Sequence, residues 1–166
     1  MVATGVEGFD GLLPGGIPPT AAVVVQGPQG PEKYAFAHQF LAEGLAGGEG
    51  ALAVITRTSP EDFFAELRAL GVDVDAHLQA GSLVVVDWYT YKSRRVDAVE
   101  EGRSIVRSSA SLVNLEIAFV DGMKKLHGFP AKRCVVDLLS PAIKLFGPTL
   151  TYDLTGSLRT RLKGAG

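Results

Sequence analysis

Four short runs of consecutive apolar, mostly β-branched residues punctuate the chain: 21–25 (AAVVV), 51–55 (ALAVI), 83–86 (LVVV) and 134–136 (CVV). They are continuous rather than alternating, the pattern required of strands covered on both faces. Between them the spacing turns helical. Over 34–45, residues Ala37, Phe40, Leu41 and Leu45 share one stripe, and Gly47 and Gly48 close it with a residue type that tolerates left-handed backbone. Ser59, Pro60, Glu61 and Asp62 supply an N-cap, a proline at the first helical position and acids in the first turn of a helix that should stop at Gly71. Over 103–126 the spacing of Leu112, Leu115, Phe119, Met123 and Leu126 predicts a long amphipathic helix, weakened near Ser108, Ser109 and Ser111. A last helix is expected over 153–163. Strands alternating with helices predict an α/β fold of three layers, α/β/α, around a mostly parallel sheet of about four strands, in one domain over 1–166.

Composition adds exclusions. The chain is 46% hydrophobic and 20% charged, which is globular rather than disordered. A formal net charge of -2 gives no general electrostatic case for nucleic acid or an anionic membrane. No run approaches the ~20 apolar residues of a membrane span, and no basic segment followed by an apolar stretch opens the sequence, so a cytoplasmic protein is expected. Cys134 reads as a small buried hydrophobe, and His38, His77 and His127 lack ligand spacing, so no metal site is expected.

The first apolar run leads into Gln26-Gly27-Pro28-Gln29-Gly30-Pro31-Glu32-Lys33-Tyr34, a degenerate G-x-x-x-x-G-K-[ST] phosphate loop within the strand-and-loop unit 21–34. Gly27 and Lys33 hold the first and seventh positions, and Gly30 lies between them. Glu32 replaces the second glycine and Tyr34 the hydroxyl that holds Mg²⁺. A carboxylate about 5 Å from a phosphate, at an effective dielectric of about 20, repels each unit of charge by roughly 3 kcal/mol. Glu32 therefore offsets what Lys33 supplies. The phenol oxygen of Tyr34 stands several ångströms further from the backbone than a Ser or Thr hydroxyl, and octahedral Mg²⁺ tolerates little misplacement.

Residues 4–18, TGVEGFDGLLPGGIP, resemble the T-G-I-x-G-L-D-x-L-L-x-G-G-I-P opening segment of KaiC-like proteins in the RecA superfamily of P-loop ATPases. Gln39-Phe40-Leu41-Ala42-Glu43-Gly44 is similar to that family's Q-F-L-x-x-G helix. Residues 134–141, CVVDLLSP, are similar to its V-V-I-D-S-L-S-P, whose aspartate assists the metal and corresponds to Asp137. The resemblance implies a RecA-like core, ATP with Mg²⁺, and oligomers. It also sets two departures in relief. The family carries paired glutamates before a Ser-Pro as the water-activating group, and the matching positions here are Arg57 and Thr58, ahead of Ser59 and Pro60. Neither side chain is a general base, so no catalytic residue is expected. In the family core, moreover, the strand after the aspartate strand lies between that strand and the phosphate-loop strand, and this sequence does not supply it. The expected order is third, second, fourth, first, with direct pairing of the last two or a slot filled by another chain.

The losses in cradle, metal ligand and water activator point to a non-hydrolysing regulatory or assembly module, paired with itself or with an active paralogue in a homo- or hetero-oligomer. The alternative is a sensor that still binds ATP weakly through Gly27, Gly30 and Lys33, with Asp137 vestigial and no other cofactor. Trp88, Tyr89, Tyr91, Lys92, Arg94 and Arg95 follow the third run. This mixture is either a solvated loop over tucked aromatics, an anchor for a neighbouring subunit, or a stacking and phosphate-binding patch for single-stranded nucleic acid in a recombinase-type accessory protein.

Overall fold

The computed structural model describes residues 1–13, 16–28 and 30–164. Among these, the sheet has five strands: β1 (Gly50–Ile55), β2 (Leu83–Asp87), β3 (Glu100–Glu101), β4 (Ile105–Arg107) and β5 (Lys132–Val136), in the order β3-β4-β2-β1-β5. The β4-β2, β2-β1 and β1-β5 pairs are parallel, and only the short β3 runs antiparallel, against β4. Every residue of β1 and β2 is buried, as continuous apolar runs require when helices cover both faces.

Strand alternation divides the core into two halves. Leu52, Val54, Val84 and Val86 point to one face, where they meet Leu115, Phe119 and Met123 of α5 (Leu112–Lys125) and Leu154 and Leu158 of α6 (Leu139–Gly164). Ala51, Ala53, Ile55, Leu83 and Val85 point to the other, covered by α2 (Glu32–Ala46), α3 (Pro60–Ala69) and α4 (Val74–Ala80) through Leu41, Leu45, Phe63, Leu67 and Val74. This is the expected three-layer α/β/α arrangement with a mostly parallel sheet. Helix starts follow local chemistry: Ser59 caps α3 by accepting the Asp62 N–H at 3.1 Å, and Asp73 caps α4 through Ala76 at the same distance. A short helix, α1 (Phe9–Leu12), stands beside a strap in which Asp10 accepts the Thr4 N–H and hydroxyl at 2.8 and 2.7 Å. These bonds, that from the Thr4 N–H first, hold the Asp10 carboxyl below its ordinary range.

Arg133 fixes α2 to the sheet. Its buried guanidinium ion-pairs with Glu49 at 2.9 Å and donates to the carbonyls of Ala3 at 2.7 Å and Phe40 at 2.9 Å. Gly44 lets it in, because a Cβ there would collide with the Arg133 side chain.

Three expectations need correction. Residues 21–25 form no strand: they pair with nothing in the sheet, and Val23, Val24 and Val25 are 57%, 68% and 46% exposed. The expected order therefore holds for the third, second and fourth runs, while the first is missing beside β5. Among the described residues β5 is the last strand on that side, and four of its five residues are part-exposed, so water can satisfy its outer backbone groups. The helix expected over 103–126 begins only at Leu112, capped by Ser111. Its first nine positions carry β4, since Ile105 and Val106 are β-branched and pair with Val85 and Val86. The last helix starts earlier than expected, with α6 running from Leu139 across a break at Gly147, whose φ of 80° admits glycine readily, followed by Pro148.

Candidate functional site at the phosphate-loop position

The loop position lies at the carboxyl ends of β1 and β5, where ligand sites of open α/β sheets form. Gln29 lies outside the described residues, as do Pro14 and Gly15 of the opening segment. The side chains around the loop are spent on one another. Lys33 donates from Nζ to the carbonyl of Gly27 at 3.1 Å, folding the loop back on its own cation. The Glu32 carboxylate lies against Gly30, so close that a Cβ on that glycine would clash with it.

Tyr34 sits in the first turn of α2, and the Arg57 guanidinium lies 3.9 Å from its ring centroid. Such a cation over an aromatic face is worth about 0.5–1 kcal/mol where exposed. The residue standing for the water activator thus stacks on the residue standing for the metal hydroxyl. Arg57 also reaches Glu66 of α3 at 3.4 Å, and Glu66 contacts Nδ1 of the buried His38 at 3.2 Å. Burial lowers the His38 pKa, outweighing the pull of Glu66 in the other direction. His38 packs edge-on against Phe63 with ring centroids 5.2 Å apart. Thr58, beside Arg57, is half-buried and contributes no hydrogen bond to the cluster among those described.

Asp137 follows β5. Its N–H donates to Val54 at 3.1 Å, and its carbonyl accepts the Thr56 hydroxyl at 2.6 Å. Desolvation raises the carboxyl pKa, opposed by Arg57, by the Thr56 hydroxyl at 3.5 Å, and by Lys33 and Lys92. Three cations thus converge on one half-buried carboxylate. Lys92 arrives from the turn after β2, donating to the Thr56 carbonyl at 2.6 Å with its ammonium 5.0 Å from the Tyr89 ring centroid. Thr56 and Lys92 are the members that sequence reading missed in this role. Both follow the carboxyl ends of parallel strands, a position that could have marked them.

The segment 88–95 is drawn inward. Trp88 is fully buried, with its indole N–H on the Ser109 carbonyl at 2.8 Å, and Tyr91 packs beside it at 5.6 Å between centroids. Arg94 pairs with Glu100 and Arg95 with Asp97. The aromatics thus lie under the loop rather than presented in a row, and of this segment Lys92 reaches the Thr56 and Asp137 cluster. The fully buried carboxylate of Asp87 has a local use: it accepts the N–H groups of Tyr89 and Thr90, each at 2.9 Å, and faces Arg107 at 3.4 Å. Burial pushes the Cys134 thiol up to about 12, leaving it inert. Among the described residues no group of His, Cys, Asp and Glu could hold a metal ion, and no helix is long and apolar enough to cross a membrane.

The profile of the KaiC ATPase family matches residues 2–165. A UPF0273 protein of Aeropyrum pernix is 31% identical over 166 residues, covering 99% of this chain and 64% of the relative. A UPF0273 protein of Thermotoga maritima is 27% identical over 165 residues, covering 99% of this chain and 66% of the relative. The chain therefore spans just under two thirds of the length of these relatives. The circadian clock protein KaiC3 of Synechocystis is 37% identical over 84 residues, 51% of this chain and 17% of that protein. The match over almost the whole length means that this chain belongs to the KaiC family of ATPases.

Proposed function

We propose that this chain is a non-hydrolysing KaiC-like domain that serves as a regulatory or assembly module. The observation that carries the reading is the mutual engagement of the replaced residues, with Arg57 on Tyr34, Lys33 on the Gly27 carbonyl and Glu32 over Gly30. A magnesium triphosphate does not fit these residues. The cradle holds a carboxylate where phosphate oxygens would lie, and a phenol covered by a guanidinium cannot close an octahedral metal shell. Asp137, with a raised pKa, lacks a partner ligand for the metal. Neither residue at the positions of the family's paired glutamates can take a proton from an attacking water, since the Arg57 guanidinium stays charged and Thr58 is no base. Positioning and electrostatics supply nearly all of phosphoryl-transfer catalysis, and both are removed. The family's tendency to assemble supports a role through protein contacts, with a homo-oligomer or an active paralogue as the partner.

Calorimetric titration with ATP and Mg²⁺, combined with a phosphate-release assay, tests this. The expected result is no magnesium-dependent turnover above blank, and turnover would remove the reading. A second reading, a sensor that binds ATP without cutting it, is favoured by the convergence of Lys33, Arg57 and Lys92 on Asp137. A ligand at a hundred times its Kd adds about 2.7 kcal/mol of stability, so a thermal shift separates the two. Under the module reading, Glu32→Gly with Tyr34→Thr gains ATP affinity over the wild type only when Arg57 is also removed.

A further inference from the structure

A chain of four side chains runs from the loop position into the packed interior: Tyr34, Arg57, Glu66 and His38. Its middle is shared. The Oε2 atom of Glu66 takes both the Arg57 guanidinium at 3.4 Å and Nδ1 of His38 at 3.2 Å, and a carboxylate only accepts, so the ring donates to it from Nδ1. A further proton on the ring must go to Nε2, which leaves the Glu66 contact in place and sets a positive charge beside it. The charged groups that act on the ring are Glu66 from α3 and Arg57 from the turn after β1, while Phe63 of α3 meets it edge-on. One carboxylate then faces two cations.

Their holds on it are unequal. His38 is buried, 8% exposed, so an imidazolium there has little water to turn to and depends on Glu66. The Arg57 side chain is 40% exposed, and its bonds to Glu66 are long, at 3.4 and 3.5 Å. Water can therefore receive Arg57 when it leaves, and Asp137 is a second carboxylate within range of its charge. We propose that protonation of His38 takes Glu66 from Arg57 and lifts the guanidinium off the Tyr34 ring, so that the cover on the loop position is operated by protons. Coupling of this kind is reciprocal: a guanidinium displaced by the proton must itself oppose the proton. Burial lowers the His38 pKa most, Glu66 raises it and Arg57 lowers it again, so the cover opens below the ordinary 6.5. The device goes beyond the non-hydrolysing reading and stands whether or not the chain cuts ATP.

NMR of the whole chain without nucleotide, titrated from about pH 8 to about pH 5, tests it. At the alkaline end the Arg57 side-chain protons should lie upfield in the ring current of Tyr34, and Tyr34→Leu should abolish that displacement. On acidification they should move to the values of an unstacked arginine with the same midpoint as the His38 imidazole nitrogens, while the amides of β1 and β2 keep their dispersion. Arg57→Ala should raise the His38 midpoint. His38→Gln and Glu66→Gln should each remove most of the pH dependence of the Arg57 signals; the second keeps the buried ring and changes only a half-buried position, so it serves should the first fail to fold. Arg57 signals that ignore the His38 titration, a His38 midpoint unmoved or lowered in Arg57→Ala, full pH dependence in Glu66→Gln, or unfolding before the ring titrates would each overturn the proposal. Magnesium-dependent turnover would remove the non-hydrolysing reading and leave this one standing.

Discussion

The two flanks of β1 are built from the same kind of sequence and end differently. On one side, the buried β2 and the part-buried β4 continue the sheet as parallel strands, β3 finishes it, and Trp88 seals the end. On the other, β5 is followed by an apolar run of equal strand propensity that stays in water. An apolar run reports what a strand needs; whether the need is met depends on a neighbour that may stand far along the chain or outside it. The altered loop of the site follows that exposed run along the chain.

The largest effect should come from the finished side. Trp88→Ala removes a fully buried indole and its bond to Ser109, and should cost about 4 kcal/mol in urea unfolding. A loss below about 1 kcal/mol would mean that the seal is not structural. Next, Arg133→Met strands Glu49 and two carbonyls and should cost about 3 kcal/mol, with Arg133→Lys recovering only part, since a point charge cannot replace the guanidinium fork. Arg57→Ala is expected to change stability by less than about 1 kcal/mol, because the ion pair is exposed and the stacked Tyr34 ring only half-buried. It should nonetheless make Tyr34 more accessible to a fluorescence quencher, and an unchanged quenching rate would dissolve the stacked pair.

His38 gives a pH test. Its folded pKa lies below the ordinary 6.5, so the unfolded chain binds the proton more readily. Its contribution is complete above the unfolded pKa and is lost as pH falls through 6.5 toward the folded value. Comparing urea midpoints at about pH 7.5 and about pH 5.5 should give a drop that is smaller in His38→Gln; equal drops would remove His38 from the account. Smallest of all, Val24→Ala measured at low concentration should change stability by less than about 0.5 kcal/mol. It removes side-chain atoms from a largely exposed position, unlike the fully buried Trp88 of the opposite flank, so a large loss would show that the segment is packed in solution.

Much of this was legible beforehand. β1, β2 and β5 announced themselves as unbroken apolar runs, and Ser59 with Pro60 marked the start of α3. β4 was not legible, because three residues are too few to interrupt a helical spacing that begins in earnest at Leu112. In the site, the replacements at Glu32, Tyr34, Arg57 and Thr58 could be read one by one. Their engagement could not: Tyr34 and Arg57 meet only because α2 and the end of β1 converge, and no local spacing encodes that approach. Trp88 read equally well as an anchor for a partner or a buried ring, since an aromatic beside basic residues looks the same until the chain turns over it.

The Arg133 guanidinium touches the opening strap at Ala3, helix α2 at Phe40 and the approach to β1 at Glu49, all from within β5. Four stretches that are remote along the polypeptide share a single rivet. They should come apart together, as one cooperative block with a common opening free energy. The strap should then fray no sooner than the helix it is fastened to.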